Sequence, residues 1–286
     1  MLWRKTTGSV VCPSCGSLVG VNDERCYSCG RANPGMWGFA PVLRQFGNDL
    51  GFVPLVIGGS AVLYALTLLA SGRGLQIMGG GFNILAPSAP ALLAFGASGG
   101  YPVFQLGSWW TVLSATWLHG SLLHIVFNMM WVRDIGPSTA DVIGPGRTII
   151  IYVVSGVCGF LLSSVAGFYL PPLPLLRGAQ LTVGASASIF GLLGALVHYG
   201  RKSGSSYIHT QAKQWALLMF VYGLIMPGID NFAHAGGFIG GYITSAFFNP
   251  LTREKGDHLL IAAVLLILTF AAIAMSVVEG WPYLTM

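Results

Sequence analysis

Thr182-Val-Gly-Ala-Ser186-Ala-Ser-Ile-Phe-Gly-Leu-Leu-Gly-Ala-Leu196 decides how the rest of this chain is read. The stretch predicts the start of a membrane-buried helix with a nucleophilic serine, Ser186, in its first turn. Gly184, two positions earlier, lets the backbone turn sharply and leaves room for a close neighbour. Ala187, Gly191 and Ala195 recur four apart and form a small-residue face on which another helix can pack tightly. A serine hydroxyl is a poor nucleophile until a base takes its proton, so the remainder of the chain must supply one.

Composition sets the class. Of 286 residues, 54% are hydrophobic and 8% charged, against about 25% charged in an ordinary soluble domain. Such a chain cannot clothe a water-facing surface, and an all-α membrane protein is expected. The 40 glycines agree, because spanning helices use glycine more than soluble ones do. The net charge of +5 comes from loop residues, where topology accounts for it, and no nucleic-acid partner is expected. The polar, cysteine-bearing start does not resemble a secretory signal.

Seven apolar stretches of spanning length are expected near 52–70, 112–132, 148–169, 183–199, 213–227, 231–248 and 259–278. One side of this arrangement collects twelve basic residues: Arg4, Lys5, Arg25, Arg31, Arg44, Arg133, Arg147, Arg201, Lys202, Lys213, Arg253 and Lys255. The other holds Arg73 and Arg177. That asymmetry predicts a cytoplasmic N-terminus and a C-terminus outside; the expected location is the cell inner membrane, as a multi-pass protein. Phe82 to Phe95 is apolar but broken by Pro87 and Pro90. Counting it as a span would destroy the asymmetry, so residues 72–108 are read as an interfacial loop with short helical pieces.

Before the first span, Cys12-Pro-Ser-Cys15-Gly and Cys26-Tyr-Ser-Cys29-Gly form two CxxCG knuckles. Four thiolates in paired turns suit a tetrahedral structural Zn2+ of the ribbon type. A pair of disulfides is the alternative, and a reduced cytoplasmic tail argues against it. The expected organisation is a zinc-ribbon-like module at 1–32, a linker at 33–51, a membrane core at 52–248, and an inner loop plus seventh helix at 249–286.

Polar groups at membrane depth are costly and therefore functional candidates. His234 lies in Asp230-Asn-Phe-Ala-His234-Ala-Gly-Gly237-Phe-Ile-Gly-Gly241. Its glycines share its side of the helix and can meet the Ala187/Gly191/Ala195 face, bringing imidazole and hydroxyl together. His124 and Asn128, four apart, can aim donors at one oxygen. His119, about 140° round the helix from His124, does not join them. Asp230 invites a Ser-His-Asp triad, yet after Pro227-Gly228-Ile229 it reads better as a helix cap. Ser188 faces elsewhere, Cys158 packs, and His198, His209 and His258 are expected to be solvated.

The ordered set His119-x4-His124-x3-Asn128, Gly184-Ala-Ser186 and His234-x2-Gly237-x3-Gly241 resembles the rhomboid family of intramembrane serine proteases, over about residues 52 to 248. The resemblance implies a six-helix transmembrane core, here with a seventh C-terminal helix. It further implies Ser186 as nucleophile, His234 as base, His124 and Asn128 as oxyanion donors, and no catalytic cofactor. It implies a structural role for His119 and places Phe190 against the catalytic histidine. Ala187 stands where the family has glycine, and Trp110-Thr111 where it has Trp-Arg. The implied function is cleavage of transmembrane protein substrates in the lipid bilayer near its outer leaflet. The rivals are a catalytically inactive rhomboid-like protein that binds membrane proteins, and a transporter; the latter lacks any mid-span Asp, Glu, Lys or Arg.

Overall fold

The computed structural model describes residues 4–13, 15–44, 47–78, 84–171, 176–226, 228–252 and 254–285. Phe82, Pro227 and Arg253 lie outside the described residues.

The N-terminal module is a two-stranded antiparallel ribbon, β1 (Ser9–Val11) and β2 (Leu18–Gly20), with Val10 opposite Val19. The two knuckles repeat one hydrogen-bond pattern. Cys12 N–H donates to Ser17 O at 2.8 Å and Gly16 N–H to Cys12 O at 2.9 Å, while Cys26 N–H donates to Arg31 O and Gly30 N–H to Cys26 O, both at 2.8 Å. Each pattern requires a left-handed residue after the second cysteine, and Gly16 and Gly30 supply it at φ 76° and 72°.

The short helix α1 (Ala40–Arg44) leads through the linker into α2 (Phe52–Ala70). Asp49 accepts from Val53 N–H at 2.7 Å and so caps the start of α2. Asn48 donates to Asp141 at 2.8 Å, which fixes the linker to the end of the bundle opposite Ser186.

Residues 72–108 contain no helix longer than six residues among those described. The expected helical pieces are present: a 3-10 turn, α3 (Ala89–Ala94) capped by Ser88, and one π turn at Tyr101–Gln105. The antiparallel pairing of β3 (Gln76–Met78) and β4 (Ile84–Ala86) was not expected; three-residue strands are too short to show an alternating pattern.

The largest correction concerns the second span. Its helix does not occupy 112–132. The chain forms α4 (Thr111–Ser114) and a 3-10 turn to Trp117, extends at Leu118, and begins α5 (Leu122–Ile143) only after Ser121. Ser121 caps α5 by accepting from His124 N–H at 3.2 Å. Apolarity alone placed the boundary ten residues early, because irregular backbone buried among neighbouring helices can be as apolar as a helix.

The remaining helices are α6 (Pro145–Tyr169), α7 (Ser186–Ser203), α8 (Ser206–Ile225), α9 (Asn231–Phe247), α10 (Gly256–Gly280) and the terminal turn α11 (Pro282–Thr285). Among the described residues three helices, α2, α6 and α10, are apolar and long enough by composition to cross a bilayer. α7 is the centre of the bundle, with Ile189, Phe190, Leu192 and Leu193 all buried. α9 packs on it most extensively, α8 leans mainly on α7, and α6 packs chiefly against α9. Outward faces such as those of Leu69, Leu217 and Val278 stay apolar and exposed, as lipid-facing surfaces do.

The small-residue faces meet as their spacing predicts. A Cβ on Gly237 would lie 2.1 Å from Ala187 O, and one on Gly241 would lie 2.1 Å from Gly191 O. Any larger side chain at either position would push the two helices apart.

α10 also anchors the residue just before α4: Trp110 Nε1 donates to Ser276 Oγ at 3.1 Å, while Thr111 Oγ1 donates to Ser108 O of its own turn at 2.7 Å. His198 and His258 are not solvated, contrary to expectation. His198 is buried against Ser245 Oγ at 2.9 Å, and His258 accepts from the buried Arg147 at 3.1 Å.

Candidate active site

The approach to α7 is rigidly held. Ser98 and Thr182 exchange backbone hydrogen bonds at 3.0 and 2.7 Å, and Gly184 N–H donates to Ala115 O at 3.0 Å. Gly184 has φ 128°, and a Cβ there would lie 2.7 Å from both Cε1 and Nε2 of His124. Conformation and space both demand glycine. Ser186 follows as the first residue of α7, beside backbone N–H groups that the helix itself leaves unpaired.

His234 occupies the first turn of α9. Its Nε2 lies 3.0 Å from Ser186 Oγ, and its Nδ1 lies 3.1 Å from Asn231 Oδ1. Phe190 stacks on the imidazole with centroids 4.2 Å apart and planes 15° from parallel. Donation from Nδ1–H to the Asn231 carbonyl leaves the Nε2 lone pair facing the serine hydroxyl.

Asp230 does not touch the imidazole. Its carboxylate accepts from Ala233 N–H at 3.0 Å, capping α9, and also from Ser163 Oγ. Asp230→Asn is expected to cost at most about 1 kcal/mol of stability, as cap changes do. Turnover should stay within about threefold of wild type; a loss of several hundredfold in the same assay would restore Asp230 to the chemistry.

On α5, His124 Nδ1 accepts from Gly120 N–H at 3.3 Å. A neutral imidazole accepting there carries its proton on Nε2, the edge that rests over Gly184. Asn128 Nδ2 spends one hydrogen on His124 O at 2.8 Å and keeps a second. Ser186, His234, His124 and Asn128 all line one cleft of about 1050 Å³, with Phe127 and Trp131 of α5 on one wall and Met219 and Tyr222 of α8 on the other. His119 is fully buried, lies edge-on to His124 with centroids 5.2 Å apart, and does not line the cleft. Ser188 points away and donates to Tyr152 O at 2.6 Å.

Asn231 is not among the residues that the sequence singles out. Its only signal was its place three residues before His234, on the same face of the helix.

The second candidate site lies in the ribbon. The sulfurs of Cys12, Cys15, Cys26 and Cys29 all lie within 4.8 Å of one another. Cys12 Sγ is 3.8 Å from Cys29 Sγ, and Cys15 Sγ is 3.5 Å from Cys26 Sγ. A tetrahedron with metal–sulfur bonds of about 2.3 Å has edges of roughly 3.8 Å, whereas a disulfide needs about 2.05 Å. The donor set therefore fits a metal. Burial disfavours the Cys15 thiolate, but hydrogen bonds from Ser17 outweigh it and bring this thiol down to about 6; burial pushes Cys29 up. Purified protein is expected to carry one zinc per chain by elemental analysis, and Cys26→Ser to carry almost none. Equal zinc in both would place the metal elsewhere.

A family model described as the Rhomboid domain matches residues 106–251. The chain is 31% identical over 198 residues to Rhomboid protease GluP of Bacillus subtilis, covering 68% of this chain and 36% of that protein. RHOMBOID-like protein 7 of Arabidopsis thaliana is 35% identical over 164 residues, 56% of this chain and 49% of that one. Inactive RHOMBOID-like protein 8, from the same plant, is 28% identical over 178 residues, 60% of this chain and 48% of that one. The chain thus spans between about a third and a half of the length of these relatives.

Proposed function

This chain belongs to the rhomboid family of integral membrane proteins, and on that premise we propose that it is an active intramembrane serine endopeptidase working through Ser186 and His234. The observation that carries the proposal is the 3.0 Å contact between Ser186 Oγ and His234 Nε2 in a cleft that also holds His124 and Asn128. The proposed division is a zinc-binding module at 1–32, a linker at 33–51, a six-helix core at 52–248, and the seventh helix within 249–286. The proposed orientation follows the basic residues, with the N-terminus cytoplasmic, Ser186 near the outer leaflet of the inner membrane and the C-terminus outside.

In this reading a substrate helix enters between α5 and α8 and unwinds locally, since an intact helix presents no free carbonyl. Ser186 Oγ attacks that carbonyl carbon while His234 Nε2 takes the hydroxyl proton. Negative charge develops on the carbonyl oxygen, opposite His124 Nε2–H, the free Asn128 N–H and the Ser186 backbone N–H. His234 returns its proton to the leaving amine, and a water attacks the acyl-serine by the same route. The substrates are transmembrane proteins with small or helix-breaking residues near the cut. Zn2+ held by Cys12, Cys15, Cys26 and Cys29 would stabilise the N-terminal module and would supply none of these steps.

A catalytically inactive, client-binding protein is the rival reading, because one matched relative is named inactive. A fluorophosphonate probe separates the two: wild type should label at Ser186 and Ser186→Ala should not. A folded wild type that takes up no probe favours the binding role.

A further inference from the structure

Among the described residues no carboxylate contacts the His234 imidazole, since Asp230 is consumed by the α9 cap and by Ser163. Asn231 stands in that place instead. It is 3% exposed, and its two amide atoms join two different helices. Its Oδ1 accepts from His234 Nδ1 at 3.1 Å, and its Nδ2 donates to Phe220 O of α8 at 3.3 Å. The fit is close: a Cβ on Gly223 of α8 would lie 2.3 Å from Asn231 Oδ1.

The donor end of this link is the informative part. α8 forms one wall of the cleft, packs chiefly on α7, and has only Ala212, Ala216 and Gly223 buried. It is thus the wall least held by packing. The Phe220 carbonyl fixes which way the Asn231 amide points. With the amide so fixed, its oxygen can face only His234.

We propose that Asn231 is a positioning residue that holds His234 in the Nδ1–H tautomer and makes that tautomer depend on the seating of α8. When α8 swings out to admit a substrate, the Asn231–Phe220 bond breaks, the amide is free to rotate and the dyad loses its orientation. When α8 closes, the bond re-forms and the base is set. Cleavage is thereby confined to the closed cleft. The inference rests on the protease reading for its consequence, though its geometry can be tested separately.

The test uses the full chain reconstituted in lipid, with 15N-labelled histidine and fluorophosphonate labelling of Ser186. Wild-type His234 should show a protonated Nδ1 and a bare Nε2. Asn231→Ala should mix the tautomers and slow probe labelling by roughly tenfold or more, with little change in substrate KM. Asn231→Asp, which keeps the acceptor, should restore labelling; a merely structural asparagine would leave both variants equally impaired. Gly223→Ala, acting from α8, should slow labelling as Asn231→Ala does, and it serves if Asn231→Ala fails to fold. A wild-type His234 protonated on Nε2, or an Asn231→Ala variant labelling at the wild-type rate, overturns the proposal. Failure of the protease reading looks different: wild type takes up no probe at all, and the tautomer measurement alone then decides.

Discussion

Ser186→Ala is expected to lower cleavage of a reconstituted single-span substrate by about 10⁴-fold or more, and His234→Ala by a comparable factor. The double variant should be scarcely worse than either single one. Members of a catalytic unit are not additive, because the hydroxyl without its base, or the base without its hydroxyl, contributes almost nothing. Both changes should leave the fold intact. The two side chains contribute little to helix packing, because α7 and α9 are held together by the close approach of Gly237 and Gly241 to Ala187 and Gly191. Equal melting midpoints with lost turnover is therefore the expected pattern. Retained cleavage in Ser186→Ala would mean that another group attacks, and Ser188 cannot be that group, since it is buried on Tyr152 O.

The encounter of Ser186 and His234 was legible in the sequence because it depends on periodicity. Small residues four apart on each of two helices can be counted without knowing the fold, and the structure places those faces in contact. The ribbon was legible for a similar reason: each CxxCG knuckle is a local turn complete within six residues. What escaped detection depends on partners distant in the chain. His258 is buried because Arg147, 111 residues away, donates to it. His198 is buried because Ser245, 47 residues on, meets it. The start of α5 was misplaced because apolarity reports burial and does not report backbone conformation. Asn231 was overlooked because its role needs Phe220 of a different helix to fix its amide.

Trp110 and Thr111 are held differently, and one of the two contacts comes from α10. Trp110 is tied through its indole N–H to Ser276 of α10, and Thr111 hydrogen-bonds within its own turn. Gly280 also lies so close to Ala94 that a Cβ there would be 2.3 Å from Ala94 Cα. α10 therefore packs against the region between α2 and α5 and, among the described residues, adds none to the cleft lining. Its contribution is to hold that region, and with it Ser98, whose backbone pairs with Thr182 just ahead of the nucleophile.

His124→Ala is expected to lower kcat by roughly 10²- to 10³-fold, or about 3–4 kcal/mol of transition-state stabilisation, with KM little changed. The reason lies in a proton's location. Gly120 N–H occupies His124 Nδ1, so the ring's proton sits on Nε2, and that edge lies over Gly184, two residues before Ser186. A donor so fixed costs no reorganisation when charge appears on the substrate oxygen, and that preorganisation makes it worth more than a mobile water. Asn128→Ala should cost less than His124→Ala, because the Asn128 amide is divided between the helix backbone and the cleft. Gly184→Ala should be as damaging as His124→Ala without removing any donor: its Cβ would displace the imidazole edge and strain a backbone held at φ 128°. If kcat in His124→Ala stays within a few-fold of wild type while Gly184→Ala is inactive, the harm in the latter comes from the backbone turn alone. The oxyanion would then have to be held by Asn128 and the Ser186 N–H.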